Sequence, residues 1–376
     1  MRPTVAIDVT PLLGARSGIG AAVAEIVVAL RGLEAGPDLV PYTLSTRARL
    51  HRDAVPSDTR FVPIPARILL GSWVRADLPR IDRWLRPAHV IHATNYLAPP
   101  SRFPTVVSIY DCSFVRYPEL CTPQVRAFEP AIRRSVARGA TVHTGSEFVA
   151  DEIEEIFGPG LRSAGRLVVI PLGVPSLGTA AEMPSAVAAA LGGAPFIVAI
   201  GTLEPRKNFA HLLGAFGVLA TRHADVRLVI AGHDGPARPE IEAAITRLPP
   251  GTRDRVVLAG SVSDAGRRAL LENATLLAYP SIYEGFGFPV LEAMTAGVPV
   301  VAARAGSIPE VAGDAALLFE PTNELDLADY MDRVLTDDDI RSELIARGRD
   351  RVHAFSWDHT ARALASCYRT IAERQT

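Results

Sequence analysis

The stretch TLLAYPSIYEGFGFPVLEAM, residues 275–294, decides the fold. Its first five residues are mostly apolar and predict a buried strand, Thr275–Tyr279. A loop with two glycines follows, and Pro289 then stands where a helix accepts a proline in its first turn. A strand that passes through a glycine-hinged loop into a helix is one βα unit of a parallel sheet.

The same alternation of short strands and longer helices runs along the whole chain and predicts an α/β protein with two doubly wound, Rossmann-like domains. In the first half it predicts strands at Val5–Val9, Leu39–Leu44, Val90–His92, Thr105–Ile109, Thr141–Thr144 and Leu167–Ile170, and helices at Ile19–Leu33, Trp73–Leu85, Pro123–Arg138 and Glu147–Phe157. In the second half it predicts strands at Phe196–Ile200, Arg227–Ala231, Val256–Leu258, Thr275–Tyr279 and Val298–Ala302.

The predicted domain bounds follow from this pattern. The first domain covers residues 1–172, a linker rich in Gly, Pro and Ala covers 173–195, the second domain covers 196–357, and a last amphipathic helix covers 358–376. Ligands of doubly wound sheets bind outside the carboxyl ends of the strands. We therefore expect the functional site in a cleft that the two domains face.

Composition excludes several classes of function. A chain of 376 residues with a net charge of −2 and a pI near 6.5 gives no reason to expect nucleic-acid binding. Three cysteines without a CxxC pair argue against a disulfide framework or a structural zinc site and fit a reducing cytoplasm. No signal-peptide core and no run of ~18 apolar residues is present, so any membrane contact is peripheral.

One segment bears on such a peripheral contact at the inner membrane face. Arginines at 67, 75, 80, 83 and 86 interleave with apolar residues, as in a basic helix at a membrane interface. The alternative is a helix that packs on the sheet with a solvated arginine face. We favour the packing helix, because Pro79 interrupts the pattern.

Glu284 and Glu292 stand in the loop and the helix of the opening stretch. A carboxylate accepts hydrogen bonds from adjacent hydroxyls, so a sugar at Glu284 and a ribose at Glu292, with phosphate between them, is one interpretation. The other is a loop glutamate with no ligand and a helix glutamate favoured by the helix dipole.

The stretch GTLEPRKN, residues 201–208, follows the strand Phe196–Ile200 and precedes a helix that Asn208 is expected to cap. Arg206 and Lys207 are adjacent cations at a helix amino terminus, which already carries partial positive charge, so a bound anion such as a diphosphate would stabilise them. They could instead be solvated side chains balanced by Glu204. Lys207 is the one lysine among 39 basic residues, which favours a specific role for it.

Taken together, these stretches resemble glycosyltransferase family 4, whose members are retaining enzymes with the GT-B fold. The resemblance covers nearly the whole chain and includes VAID at 5–8, GIG at 18–20, TGSEF at 144–148, IPLGV at 170–174, AGVPVV at 296–301 and FSW at 355–357. It implies that the last helix crosses back to the first domain. It also implies a hexosyltransferase that needs no metal or other cofactor and uses a nucleotide diphosphate sugar.

The resemblance assigns roles to matching positions. The predicted catalytic residues are Arg206, Lys207 and Glu284, and the predicted donor-binding residues are Gly18, Gly20, Gly201, Val262, Phe286, Gly287, Phe288, Val290, Leu291 and Glu292. In this assignment Glu292 holds the ribose, the amides of Val290 and Leu291 assist the cations at the diphosphate, and Val262 lies at the base. GIG at 18–20 does not follow its strand directly, which argues against an NAD site.

The acceptor side carries one departure from the family. Where members usually have a His-Asp pair after the strand 105–109, this chain has Tyr110 and Asp111. Tyrosine donates a hydrogen bond but is not a cation near neutral pH. Asp111 either orients the acceptor hydroxyl or caps the following turn.

Similarity to mannosyltransferase members makes GDP-mannose the first expectation for the donor, with UDP-glucose or UDP-GlcNAc next. The expected acceptor is a hydroxyl of a glycan, a lipid-linked sugar or a small molecule. A nucleotide-sugar-binding protein without catalysis is the alternative.

No metal site is predicted. The run Asp337–Asp339 follows Thr336 and precedes an amphipathic helix, which is typical of a capped helix start. His89, His92 and His143 fall at strand ends without metal-ligand spacing.

Overall fold

The computed structural model describes residues 2–13, 18–45, 51–176, 178 and 182–374. The chain divides into two compact units, one of Met1–Pro175 with Phe355–Thr376 and the other of Ser176–Ala354. Each unit contains one parallel sheet, which confirms the predicted fold class. Residues 177 and 179–181 of the predicted linker and the last two residues of the predicted helix 358–376 lie outside the described residues.

The sheet of the first unit has seven parallel strands: β1 (Thr4–Asp8), β2 (Asp38–Thr43), β3 (Arg60–Phe61), β4 (Val90–Ala93), β5 (Thr105–Ser108), β6 (Thr141–Thr144) and β7 (Leu167–Val169). Their order is β3-β2-β1-β4-β5-β6-β7. The predicted strands are each correct to within one residue. The edge strand β3 was not predicted, because two residues are too few to give a periodic pattern.

The sheet of the second unit has six parallel strands: β8 (Phe196–Ile200), β9 (Arg227–Ala231), β10 (Val256–Gly260), β11 (Leu276–Tyr279), β12 (Val300–Ala303) and β13 (Ala316–Phe319). Their order is β10-β9-β8-β11-β12-β13, so the direction of winding reverses between β8 and β11. The edge strand β13 was not predicted.

Helices connect these strands. In the first unit they are Gly18–Gly32, Ala66–Trp73, Asp82–Leu85, Ser113–Arg116, Pro123–Arg126, Phe128–Ala137, Glu147–Phe157 and Trp357–Glu373. In the second they are Ser185–Leu191, Phe209–Leu219, Arg238–Arg247, Pro250–Arg253, Asp264–Asn273, Phe288–Thr295, Ile308–Ala312, Glu324–Thr336 and Asp338–Val352.

Two predicted helices are wrong in extent. The predicted helix Trp73–Leu85 is wrong over most of its length, because the helix Ala66–Trp73 ends at its first residue and only Asp82–Leu85 is helical beyond it. Pro79 lies in the non-helical stretch 74–81, where it has no N–H to donate and restricts the residue before it. The predicted helix Pro123–Arg138 is interrupted at Ala127, since Pro130 cannot donate to the carbonyl of Arg126.

The arginine-rich segment packs as a core element. Leu69, Trp73 and Leu85 are buried in one apolar cluster with Ile91, which agrees with the packing interpretation. Ile68 and Leu78 remain exposed, at 57% and 63%. Among the residues that the structure describes, no helix is long and apolar enough to span a membrane.

The last helix, Trp357–Glu373, belongs to the first unit, as the family resemblance implies. The indole Nε1 of Trp357 donates to the carbonyl of Val174 at 2.8 Å, and Thr360 Oγ1 donates to the carbonyl of Pro171 at 2.7 Å. A Cβ on Gly173 would lie 2.5 Å from the Trp357 ring, so only glycine fits at that contact.

A buried hydrogen-bond chain also ties the last helix to the first sheet. His143 Nε2 donates to the carbonyl of Ile170, which leaves Nδ1 to accept from Ser108 Oγ at 2.8 Å. Ser108 in turn accepts from His92 Nε2 at 2.8 Å, and His92 Nδ1 accepts from the Tyr368 hydroxyl at 2.7 Å. Every ring nitrogen has a partner while both histidines are neutral.

Candidate functional site

The two predicted motifs of the second unit begin at adjacent strands. The loop 201–208 leaves β8, and the loop 280–287 leaves β11. These strands are neighbours at the point where the winding reverses, so their loops diverge and open a crevice at the carboxyl edge of the sheet. The structure thereby brings together residues that lie some 77 positions apart in the sequence.

Lys207, Arg206 and Glu284 form one cluster across these loops. Lys207 Nζ donates to Glu284 Oε1 at 2.5 Å and to the hydroxyl of Tyr279 at 3.0 Å. Arg206 Nη1 donates to Glu284 Oε2 at 2.9 Å, and its Nε donates to Glu204 at 2.9 Å. Lys207 and Glu284 are each only 7% exposed, so the interpretation of Lys207 as an ordinary solvated cation is wrong.

Charge balance in this cluster holds Glu284 in its ionised form. Burial alone would raise the pKa of Glu284, but the two cations outweigh it and lower that pKa to about 2. Burial lowers the pKa of Lys207, and the attraction of Glu284 opposes that shift. The ammonium and the carboxylate therefore depend on each other, and a polyanion that enters the crevice meets two cations already in place.

Glycines make room for this cluster. Gly201 has a φ of 159°, and a Cβ there would lie 3.1 Å from Lys207 Cε, so its absence lets the lysine stem pass. Gly306 has a φ of 58°, and a Cβ there would lie 2.4 Å from the carbonyl oxygen of Glu284. Ser307 donates to that same carbonyl through its amide and its hydroxyl, at 2.9 and 3.0 Å, which fixes the Glu284 backbone.

The prediction that Asn208 caps the following helix is wrong. Its backbone is left-handed, with a φ of 56°, and its side chain makes no cap hydrogen bond to the helix Phe209–Leu219. Its Nδ2 instead donates to the carbonyl of Pro321 at 3.2 Å. The reason is the tight turn Pro205–Lys207, which reverses into the helix through a left-handed residue, a conformation that Asn tolerates better than most.

Glu292 lies in a different electrostatic environment from Glu284. It is 1% exposed, one oxygen pairs with Arg267 Nη2, and the other, Oε2, is buried with no hydrogen-bond partner among the described residues. Burial raises the pKa of Glu292, and the attraction of Arg267 only partly offsets it. A buried acceptor without a donor is costly, and a hydroxyl of a bound ligand would relieve that cost.

The helix Phe288–Thr295 starts as the sequence predicts, with Pro289 in its first turn. Gly287 precedes it with a φ of 99°, and a Cβ there would lie 2.5 Å from Ile308. The amide of Val290 donates to the carbonyl of Gly287 at 3.1 Å, a bond that a phosphate would have to replace or share. Leu291 is fully buried in the same turn.

The remaining predicted donor residues surround these groups or lie further along the edge. Phe286 is buried and packs edge-on against Phe288, with ring centres 5.2 Å apart. Val262 follows β10, on the carboxyl edge but two strands from β8. At ~4.8 Å per strand, the loops after β10 and β11 are about 14 Å apart, a span that suits an extended ligand.

The first unit holds the other predicted residues at the carboxyl edge of its own sheet. Gly18 and Gly20 open the helix Gly18–Gly32, with Gly18 exposed and Gly20 buried. Tyr110 follows β5 but is only 8% exposed. Its ring packs edge-on against His143 and Tyr96, and its hydroxyl has no hydrogen-bond partner within the described part of the chain.

Asp111 caps the next turn. Its Oδ1 accepts from the amide of Ser113 at 3.0 Å and from its hydroxyl at 2.7 Å, at the start of the helix Ser113–Arg116. Of the two roles left open for Asp111, the structure contains the cap. The acceptor-side role of Tyr110 and Asp111 stays a prediction.

Several residues that support these sites were missed from sequence. Tyr279, Gly306, Ser307 and Arg267 each contact a predicted site residue from another segment of the second unit. Asp8 was missed too: it is buried at the end of β1, accepts from Thr10, and burial raises its pKa to about 6. The run ARAGSIPE at 303–310 gives the one readable signal, a glycine and a serine before a helix proline.

The residues set aside as metal ligands have other roles. Asp337 caps the helix Asp338–Val352 by accepting from the amides of Asp339 and Ile340, each at 3.0 Å. His92 and His143 belong to the buried chain described above. The described residues contain no group of three or more His, Cys, Asp or Glu side chains arranged to hold a metal.

Two family models match the chain. The family model described as "Glycosyl transferases group 1" matches residues 186–351, which include the Lys207–Glu284 cluster and Glu292. The family model described as "Glycosyl transferase 4-like domain" matches residues 17–173. Together the two matches cover most of both units.

Individual relatives agree as well. The chain is 30% identical over 303 residues to O-antigen chain mannosyltransferase B of Escherichia coli, which covers 78% of each protein. The solved structure of HepE from Anabaena in complex with UDP and glucose has a TM-score of 0.74 at 18% identity and covers 98% of this chain and all of HepE. Sucrose-phosphate synthase from Thermosynechococcus elongatus has a TM-score of 0.73 at 20% identity, over 98% and 99% of the two chains.

Proposed function

The chain belongs to glycosyltransferase family 4 and is a hexosyltransferase, and from that premise we propose that it transfers mannose from GDP-mannose to a hydroxyl of a glycan, a lipid-linked sugar or a small molecule, with retention at the anomeric carbon. The printed function of the E. coli relative supports mannose. HepE, solved with UDP and glucose, supports UDP-glucose as the next donor to test.

The cluster of Arg206, Lys207 and Glu284 carries the proposal. It joins two cations, which suit a diphosphate, to an ionised carboxylate, which suits sugar hydroxyls, at one point of the sheet edge. Glu292 Oε2, which has no hydrogen-bond partner among the described residues, adds an acceptor for a ribose hydroxyl.

The chemistry follows from the charges. As the bond between the anomeric carbon and the diphosphate oxygen breaks, negative charge grows on the leaving group, and Arg206 and Lys207, already held at this point of the crevice, stabilise that charge. The acceptor hydroxyl attacks from the face that the diphosphate leaves, and its proton passes to a departing phosphate oxygen. Glu284, with a pKa of about 2, stays ionised and holds hydroxyls rather than donating a proton.

The reaction needs no metal in this proposal, because the two cations take the place of a divalent ion at the diphosphate. We place the protein in the cytoplasm, which suits a chain whose cysteines Cys112, Cys121 and Cys367 form no disulfide among the described residues.

A donor screen tests the proposal. Thermal stability and release of free nucleotide are measured with GDP-mannose, UDP-glucose, UDP-GlcNAc, GDP, UDP and NAD in the presence of EDTA. A ligand at a hundredfold excess over its dissociation constant adds ~2.7 kcal/mol to the free energy of unfolding.

We expect stabilisation by one sugar nucleotide and slow release of its nucleoside diphosphate. Stabilisation without turnover in the presence of candidate acceptors would favour a binding protein. No response to any sugar nucleotide would overturn the proposal.

A further inference from the structure

A second site of different chemistry lies in the first unit. A cavity of about 250 Å³ opens at the amino ends of β5 and β6, where Thr105 and Thr141 begin their strands. Tyr110 and Asp111 follow the carboxyl end of β5, so the cavity lies at the opposite edge of the same sheet. We call it the basal cavity.

Four arginines line the basal cavity: Arg102, Arg138, Arg166 and Arg374. No carboxylate is among the described residues that line it. Arg138 pairs with Asp77 at 2.7 Å from outside the lining, whereas none of the other three forms an ion pair with a described residue. Three arginines thus line one cavity without an ion-pair partner among the described residues, and the carboxylate beside them, Asp82, is occupied by the hydroxyl of Ser101 at 2.6 Å and the amide of Arg102 at 3.3 Å.

The polar groups of the basal cavity are incompletely satisfied. Arg166 Nη2 donates to the carbonyls of Val136 and Ala140, but its Nε is buried and has no partner in the described part of the chain. Arg138 donates to Ser135 and to the carbonyl of Ala98 and is 23% exposed. A buried N–H of a cation that lacks an acceptor is destabilising, and an oxyanion would remove that cost.

We propose that the basal cavity binds a phosphate group, either free in solution or as the headgroup of an anionic lipid. Guanidinium forks match phosphate oxygens in pairs, and several of them around one cavity favour a compact oxyanion over a planar organic ligand. The volume is below the ~300–1,000 Å³ usual for drug-sized ligands, which also favours a small group. Leu78 is exposed and follows Asp77, the ion-pair partner of Arg138, in the chain, so an apolar side chain is available to the lipid source.

The test uses the full chain and removes the two exposed arginines of the cavity. Arg102→Gln/Arg374→Gln is compared with wild type and with Arg369→Gln/Arg247→Gln, which changes the net charge equally at exposed arginines outside the cavity. Binding of inorganic phosphate and of pyrophosphate is measured by calorimetry in phosphate-free buffer. Binding to phosphatidylglycerol and phosphatidylcholine vesicles is measured by sedimentation. The variant Arg206→Gln is measured as well, because binding of these anions at the Lys207 cluster would be weakened in it.

We expect wild type, the control pair and Arg206→Gln to bind at least one phosphate-bearing probe, and the Arg102/Arg374 pair to bind it at least tenfold more weakly. Loss confined to the soluble anions identifies free phosphate as the ligand. Loss confined to phosphatidylglycerol vesicles identifies the headgroup. Equal binding by the cavity pair and the control pair, or no binding of any probe by wild type, would overturn the proposal.

Discussion

The carboxyl edges of the two sheets use their polar residues in opposite ways. At the second edge, Lys207, Arg206 and Glu284 reach one another across two loops and neutralise one another. At the first edge, Tyr110 turns into the interior against His143, and Asp111 is occupied by the amide and hydroxyl of Ser113.

The difference concerns what a ligand would find at each edge. The cations of the second edge are held by carboxylates, and a diphosphate can share or replace those partners at little cost, because one charged acceptor replaces another. The Asp111 cap of the first edge is complete without a ligand. Catalysis should therefore depend steeply on the second edge, and residues of the first edge should act mainly on stability.

The largest effect is expected at Lys207. Lys207→Ala should lower the rate of sugar transfer about 10²–10³-fold, the usual cost of removing one electrostatic contact to a leaving group. The measurement is kcat for nucleotide release, with the melting temperature as a check of folding. Lys207→Arg keeps the charge on a different geometry and should be intermediate. Near-native turnover of Lys207→Ala would contradict the assignment of Lys207 as a catalytic residue. It would also contradict the proposed difference between the two edges.

The pH dependence of stability tests the interior of the first edge. Burial lowers the pKa of His143 to about 4, below its usual 6.5, so the neutral ring contributes fully above pH 6.5 and that contribution is lost as the pH falls toward 4. Relative to His143→Gln, wild type should lose roughly 2.5 kcal/mol of unfolding free energy between pH 7 and pH 4.5.

Urea unfolding of both proteins at pH 7 and pH 4.5 measures this loss. Asp8, whose pKa is raised to about 6, acts in the opposite direction, but it is present in both proteins and cancels in the difference. Parallel pH curves for the two proteins would mean that His143 is not held neutral.

Substitutions at Glu292 and Glu284 should have different effects, at Glu292 mainly on nucleotide binding and at Glu284 mainly on sugar transfer. Glu292→Gln should weaken GDP binding about 10–100-fold, because a hydrogen bond to a charged group contributes ~1.5–3 kcal/mol. Glu284→Gln should abolish transfer but weaken GDP binding less than Glu292→Gln does, because the diphosphate can take the place of the lost carboxylate beside Arg206 and Lys207. Calorimetry with GDP and turnover assays measure both, and Glu272→Gln, in an exposed pair with Arg268, is the control. Equal effects of the two site variants on GDP would contradict the separate roles.

The smallest effect is expected at Tyr110. Tyr110→Phe removes a buried hydroxyl that has no partner among the described residues, so it should raise the unfolding free energy by about 1 kcal/mol and change kcat/KM less than threefold. Chemical denaturation and steady-state kinetics measure the two quantities. Tyr110→His should alter activity or acceptor preference without affecting nucleotide affinity. A tenfold loss of transfer in Tyr110→Phe would show that the Tyr110 hydroxyl contacts the substrate. Both edges would then contribute to catalysis.

Sequence alone identified the two loops that meet at the second edge, because their motifs are local; the roles of their residues stay predictions. A strand, a glycine loop and a first-turn proline are neighbours in the chain, so 201–208 and 279–294 can be recognised one at a time. Tyr279, Ser307 and Arg267 could not be assigned roles, since their contacts depend on which strands lie side by side. The burial of Tyr110 depends on how the helices and strands pack, and the spacing of residues in the sequence does not indicate it. Pro79 indicates an interruption of the helical pattern, but it does not indicate that residues 74–81 lie outside any helix.

The return of Trp357–Glu373 to the first unit has a consequence for synthesis on the ribosome, which delivers the amino terminus first. The second unit, Ser176–Ala354, is contiguous and can complete its core before translation ends. The first unit waits for its last helix: until Tyr368 emerges, His92 Nδ1 has no donor and the face of the helix Gly18–Gly32 that the last helix covers stays open to solvent. A nascent chain stopped at residue 354 should therefore be cleaved by proteases in its amino-terminal half first, although that half was made first.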